Sequence, residues 1–158
     1  MSNISFDVII DTREQENIWS FANYDEVKNT HVKKLDTGDY TIVGLEDRLC
    51  IERKHTVGEL AKNITEKRFE RELERMSEFP HSFLILEFGL NEVDNYPNVS
   101  CIPNRVRKKI KIRGPYIMKK IAEASINYGI SVIPCGHPKY AEDMVVSLMK
   151  RVYEQNYH

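Results

Sequence analysis

Acidic residues stand at three places where the chain leaves or enters an extended segment. Asp11 and Glu14 follow the apolar run at 6–10, Asp39 follows the turn residue Gly38, and Glu52 closes another apolar run at 49–51, with Lys54 two residues on. In a strand, residues i and i+2 share a face. Glu52 and Lys54 therefore point one way, and Ile51 and Arg53 the other. Carboxylates bind a hard divalent cation through oxygen. Such a cation polarises a phosphate ester and lowers the pKa of its bound water. A lysine beside it can orient or deprotonate that water, because desolvation lowers a lysine pKa. An acid, a lysine two residues away and a second acid one strand over thus form a workable site for magnesium-dependent phosphodiester hydrolysis. A surface hairpin with alternating charges would carry the same Glu-Arg-Lys spacing.

Several elements must position these groups. The spacing predicts strands over 6–10, 31–35, 40–43 and 48–53, with a mixed segment over 16–29 and a short helix around Trp19 and Phe21. A helical stretch runs over 56–78, opened by Thr56 as N-cap with Glu59 three residues on. Its apolar face changes from Val57, Leu60, Ala61 and Ile64 to Phe69, Leu73 and Met76, so the helix breaks near Lys67-Arg68. The run at 82–88 is apolar without alternation, as a strand buried on both faces requires. Residues 89–104 read as loop. Gly114-Pro115 opens a helix whose stripe is Ile117, Met118, Ile121, Ala122, Ser125 and Ile126, and Gly129 closes it. A strand over 130–134 and a helix from Pro138 to about Gln155 complete the chain. Helices following strands from 56 onward give an α/β class with a central mixed sheet flanked by helices, in a single domain.

Composition narrows the function classes. Of 158 residues, 41% are hydrophobic and 30% charged, which excludes a disordered or low-complexity chain. No apolar run approaches the ~20 residues of a membrane span, and no secretory pattern opens the chain. The three cysteines have no metal spacing, so a reducing, intracellular setting is expected: the cytoplasm of a prokaryotic or virus-infected cell, or a nucleus. No phosphate-binding or dinucleotide glycine motif is present, so no nucleotide cofactor is expected. Net charge is −1, yet eight of the 23 basic residues fall between Arg105 and Lys120 with no acid among them. Arg105, Arg107, Lys108, Lys109, Lys111 and Arg113 open this block. It reads as the footprint of a polyanion or as a solvated loop.

The ordered set Asp11-Thr12-Arg13-Glu14, Gly38-Asp39-Tyr40 and Ile51-Glu52-Arg53-Lys54 resembles the XPF/Hef-type nuclease family, along the whole chain. The resemblance implies a restriction-endonuclease-like fold over 1–158 and a Mg²⁺- or Mn²⁺-dependent DNA endonuclease. It would act at branched or single/double-strand junction DNA in repair, recombination or replication. It implies metal binding by Asp39 and Glu52 with Asp11 close by, Glu14 in support, Lys54 at the attacking water, and Arg53 through its side chain or its backbone carbonyl. Arg68, on the helix after this motif, is expected to pair with an active-site acid or a DNA phosphate, and the basic block to contact DNA. Relatives pair through their nuclease domains, so a homodimer is expected, through Met144, Val145, Leu148, Met149 and Val152. Two departures stand out. Gly58 occupies the place of a family aspartate, with Glu59 next as replacement or helix cap. The helicase and tandem helix-hairpin-helix modules of relatives have no counterpart here. A catalytically inactive DNA-binding or partner-stabilising domain is the alternative reading.

Overall fold

The computed structural model describes residues 3–14 and 18–157. Among them, six strands make one sheet: β1 Phe6–Ile10, β2 Val27–Val32, β3 Tyr40–Ile42, β4 Leu49–Lys54, β5 His81–Leu86 and β6 Ser131–Pro134. Their order is β2-β1-β3-β4-β5-β6. β1 runs parallel to β2 and antiparallel to β3, β3 is antiparallel to β4, and β4, β5 and β6 are mutually parallel. The sheet is mixed, as the sequence led us to expect. The helices are α1 Val57–Ile64, α2 Arg68–Met76, α3 Leu90–Asn95, α4 Asn104–Arg107, α5 Gly114–Tyr128 and α6 Pro138–Asn156.

Two apolar layers cover the sheet. On one side α1, α2, α3 and α5 bring Leu60, Leu73, Val93 and Ile117 to Cys50, Leu84 and Leu86. On the other, α6 and the segment carrying Trp19 and Phe21 bring Val145 and Met149 to Tyr40, Ile51 and Ile85. Alternate residues of β5 thus enter opposite layers, which is why its sequence is apolar without a break. Leu60 and Ile117 have no solvent exposure. Truncating either to alanine is expected to cost ~2–5 kcal/mol.

Local chemistry sets the elements around β4. The Thr56 hydroxyl accepts the Glu59 N–H at 3.1 Å and starts α1. The phase break puts Phe69, Leu73 and Met76 of α2 into the same core. Gly38 turns the chain into β3 with φ +85°, and a Cβ there would stand 2.7 Å from Cys50 Sγ. Only glycine combines that φ with so close an approach. The Asp39 N–H then donates to the Ile51 carbonyl at 2.7 Å, seating Asp39 against β4.

Four local expectations are corrected. β2 lies at 27–32 rather than 31–35: it is a largely exposed edge strand, so it carries little apolar alternation to mark its position. The 89–104 stretch contains α3, which buries only Val93 and is too short to show a helical period. The α5 stripe runs through Ile117, Ile121 and Ala124, while Ile126 is 84% exposed. From Ile18 onward no helix forms around Trp19 and Phe21, both of which are buried on irregular chain; residues 16 and 17 lie outside the described residues.

Candidate active site

The carboxyl end of β4 separates the charges as strand alternation requires. Asp39, Glu52 and Lys54 form one group. Burial and the neighbouring Glu52 charge push the Asp39 carboxyl well above the ordinary carboxylate range. Burial also raises Glu52, against the Lys54 charge and a hydrogen bond with Asp39. Two carboxyls in such contact share a proton unless a cation replaces it. Lys54 Nζ lies 3.7 Å from Glu52 Oε1. Burial pulls the Lys54 pKa down, but Glu52, Asp39, Glu59 and Glu72 together carry it above the usual lysine value. These acids favour the Lys54 ammonium, a donor able to orient a water. A cavity of about 140 Å³ opens on this group, lined by Arg13, Asp36, Asp39, Glu52, Glu72 and Arg75 among others.

Asp11 adjoins that pair, its N–H donating to the Asp39 carbonyl at 2.8 Å, but its carboxylate has other partners. It is fully buried. Its Oδ1 accepts the Leu35 N–H at 2.7 Å, and its Oδ2 accepts Arg13 Nε–H at 2.6 Å and the Arg13 backbone N–H at 3.2 Å. Burial pushes its pKa up, but the hydrogen bonds from Leu35 and Arg13 outweigh it and leave the carboxyl below its ordinary value. Three donors thus face its two oxygens, and Oδ2 holds the Arg13 guanidinium in place. Among the described residues no group of three or more Asp, Glu, His or Cys is placed to hold a metal. Of the expected ligands Asp11, Asp39 and Glu52, the last two share a hydrogen bond, while the Asp11 carboxylate accepts from Leu35 and Arg13. Magnesium commonly takes one or two carboxylates and keeps several waters, so a proton-sharing pair at a polar cavity fits such an ion.

The other side of β4 carries a second polar group. Arg53 Nε lies 3.3 Å from Glu14 Oε2, and its guanidinium carbon sits 5.3 Å from the Trp19 ring centre. The Tyr40 hydroxyl donates to Glu14 at 2.7 Å. Glu14 has a raised pKa, from burial and then from the Asp39 charge. Its charge in turn raises the Glu52 carboxyl through the sheet. Buried Glu87 accepts Trp19 Nε1–H at 2.8 Å and contacts His55 Nδ1 at 2.6 Å. Arg53 reaches Asp39 through its backbone, but with the N–H, not the carbonyl (2.8 Å to Oδ2).

Three further expectations meet the structure. Glu59 caps α1: its N–H binds Thr56 and its Oε1 accepts the His55 N–H at 3.4 Å. Arg68 opens α2 outside the buried face and pairs with Glu66 at 2.6 Å, its side chain 63% exposed. Of its two expected partners, no active-site acid is in reach, and the exposed guanidinium leaves the DNA-phosphate alternative standing. In the basic block, Arg105, Lys108, Lys109 and Lys111 are exposed. Arg107 instead donates to the carbonyls of Val99 and Ile102 at 2.7 and 3.0 Å, and Arg113 to that of Ile110 at 2.6 Å. Ile102 packs beside Gly58 of α1, so the block borders the helix that leaves β4. Glu72, Arg75 and Glu87 were missed. Glu72 and Arg75 flank the buried 69/73/76 face of α2, the one available clue.

Comparison with known proteins decides the family. The family model described as the ERCC4 domain matches residues 10–155. This chain belongs to the ERCC4 domain family. Among solved structures it is similar to XPF from Aeropyrum pernix, with TM-score 0.66, 22% identity, 94% of this chain covered and 65% of that one. It is also similar to XPF from Aeropyrum pernix in complex with DNA, with TM-score 0.66, 23% identity, and 96% and 66% covered. The chain thus spans about two thirds of the length of those structures and has the restriction-endonuclease-like fold of the XPF nuclease domain. No curated protein matches.

Proposed function

We propose that this ERCC4 domain is a divalent-metal-dependent DNA endonuclease that hydrolyses a phosphodiester at branched or junction DNA. The carrying observation is the Asp39–Glu52 pair, two carboxyls close enough to share a proton, with the Lys54 ammonium 3.7 Å from Glu52. Asp39 and Glu52 would hold a Mg²⁺ or Mn²⁺ ion. Such an ion supplies Lewis-acid polarisation of the phosphate and an acidified water. Lys54 donates a hydrogen bond that orients the attacking water or a phosphate oxygen. The Arg53 N–H fixes Asp39, and Glu14 holds the Arg53 side chain on the far face. Exposed Arg105, Lys108, Lys109 and Lys111 supply phosphate contacts. A DNA complex of a protein with this fold supports the choice of polymer.

The same reading includes a homodimer. Val145, Met149 and Val152 are buried in the chain's own core, so the exposed large apolar side chains of α6 are Tyr140 and Met144. An intracellular setting is supported by three cysteines that form no disulfide, and no described helix is long and apolar enough to cross a membrane. The test is incubation with labelled fork, flap, four-way and linear DNA in Mg²⁺, Mn²⁺ or EDTA. Metal-dependent incision near a junction is expected. Binding without incision in every metal would leave a catalytically inactive DNA-binding domain.

A further inference from the structure

A second cavity, of about 310 Å³, is lined by Lys33, Lys34, Leu35, Asp36, Thr37, Glu46 and Phe79. It abuts the active-site cavity, because Asp36 and Thr37 wall both. Arg13 stands at the junction. Its Nε is tied to buried Asp11, its Nη2 donates to the Leu35 carbonyl at 3.2 Å, and its side chain remains 68% exposed. Cations therefore continue outward from the carboxylate pair: Arg13 at the lip, then exposed Lys33 and Lys34 on the chain leaving β2. Phe79 is half-buried, anchored in the core beneath α2. None of the residues from Arg105 to Arg113 lines either cavity.

Resting on the nuclease reading above, we infer that this groove receives one unpaired DNA strand as it runs out of the active site. Lys33 and Lys34 would bind its phosphates, and Phe79 would bind a base. The volume lies at the low end of the ~300–1,000 Å³ of small-molecule pockets. It admits a nucleotide unit and not a duplex. Cations following the backbone together with an aromatic surface is the arrangement that holds single strands without reading sequence. Asp36 and Glu46 oppose phosphate entry on their side of the groove, so the backbone follows the lysine wall. The bond from Arg13 to Leu35 couples the two cavities, placing a fixed guanidinium where the strand passes from one to the other.

The test compares wild type, a Lys33→Gln/Lys34→Gln variant and a Phe79→Leu variant, which keeps an apolar side chain in the core. Fluorescence anisotropy is measured on a fork with single-stranded arms and on blunt duplex, in Ca²⁺, across a salt series. The lysine variant is expected to lose more affinity on the fork than on blunt duplex. Its fork salt slope should flatten by about 1.4, from ~0.7 per single-strand phosphate contact. Phe79→Leu should weaken fork binding roughly fivefold or more with its slope intact. A wild-type fork with 5-iodouracil in one arm should photo-cross-link within residues 33–37 or at Phe79. Equal losses on fork and duplex, or an unchanged slope with cross-links elsewhere, overturn the groove while wild-type incision keeps the nuclease reading. A wild type that neither binds nor incises any DNA overturns both.

Discussion

The backbone N–H of Arg53 donates to Asp39 Oδ2 across 2.8 Å, while the Arg53 side chain lies on the opposite face of β4 against Glu14 and Trp19. One residue therefore serves two groups: its main chain fixes a carboxylate of the candidate metal pair, and its guanidinium holds the layer beneath. Replacing the side chain leaves the first contact in place. The carboxylate that this N–H anchors is also one that burial and the Glu52 charge push above its ordinary range.

That displacement gives a signed expectation for stability. Asp39 and Glu52 both have raised pKa values, through burial and, at Asp39, the Glu52 charge. The folded state then binds more protons than the unfolded one, from the ordinary carboxylate range near ~4 up through the raised values. Stability without metal falls as pH rises through that window. In EDTA, Asp39→Asn should melt above wild type at pH 8, and the gap should close toward pH 5. Mg²⁺ should raise the wild-type Tm at pH 8 and leave the variant nearly unmoved. Incision should be lost in Asp39→Asn and in Glu52→Gln while DNA binding persists. A variant that melts below wild type at pH 8 would remove the proton-sharing pair.

Asp11 should behave with the opposite sign. Its folded pKa is depressed, with the Leu35 and Arg13 hydrogen bonds outweighing burial. Its contribution is present above the unfolded pKa and is lost as pH falls through the folded value. Asp11→Asn should lower unfolding free energy by ~1–3 kcal/mol at pH 7, the cost of disrupting bonds to a buried charged acceptor. Urea denaturation should show that loss shrinking at pH 3. Mn²⁺ affinity measured by calorimetry should remain near wild type if the Asp11 carboxylate serves Arg13 rather than the ion. A collapse of Mn²⁺ affinity would return Asp11 to the ligand set.

The two carboxylates explain how much the sequence could show. Asp39 and Glu52 were legible because a turn glycine and a strand end carry them, and strand alternation placed Lys54 beside Glu52 correctly. The α1–α2 break was legible from the change of apolar phase. Asp11 sits in an equally suggestive motif, yet its partners are the Leu35 N–H, contributed from 24 residues away, and its own neighbour Arg13. No local pattern reports a long-range hydrogen bond. Arg68 shows the same limit: the second apolar stripe begins at Phe69, so the residue just before it faces solvent and pairs with Glu66. Phe79 entered no motif, since its value comes from a cavity formed with residues 33–37.

Lys54 is expected to act as a cation and donor. Four carboxylates raise its pKa despite burial, so it stays protonated across neutral pH. Lys54→Ala should reduce single-turnover incision by ~10²-fold or more, with affinity for DNA much less altered. Lys54→Arg should recover part of the rate, since charge and donation survive. If Lys54 were the base, arginine would be as inactive as alanine, and the wild-type rate would rise with pH through the lysine pKa, a rise that vanishes in Lys54→Ala.

The basic block divides into residues that hold it and residues that it presents. Arg107 spends its guanidinium on the Val99 and Ile102 carbonyls, and Ile110 and Ile112 pack on the core. Lys108, Lys109 and Lys111 stay exposed on the segment this anchors. Few aromatic side chains accompany them, so phosphate contact is favoured over base stacking. Each duplex phosphate contact contributes about −0.9 to the slope of log affinity against log salt. Changing the three lysines to glutamine should weaken binding to all DNA sequences alike and flatten that slope by roughly two to three. Tm should hardly move, because exposed substitutions fall within about ±0.5 kcal/mol. Arg107→Gln should do the reverse in proportion, lowering Tm and raising protease sensitivity in 97–113. An unchanged salt slope in the triple variant would mean that duplex DNA is held elsewhere. The lysines would then be solvated charge on a segment whose one fixed feature is the Arg107 anchor.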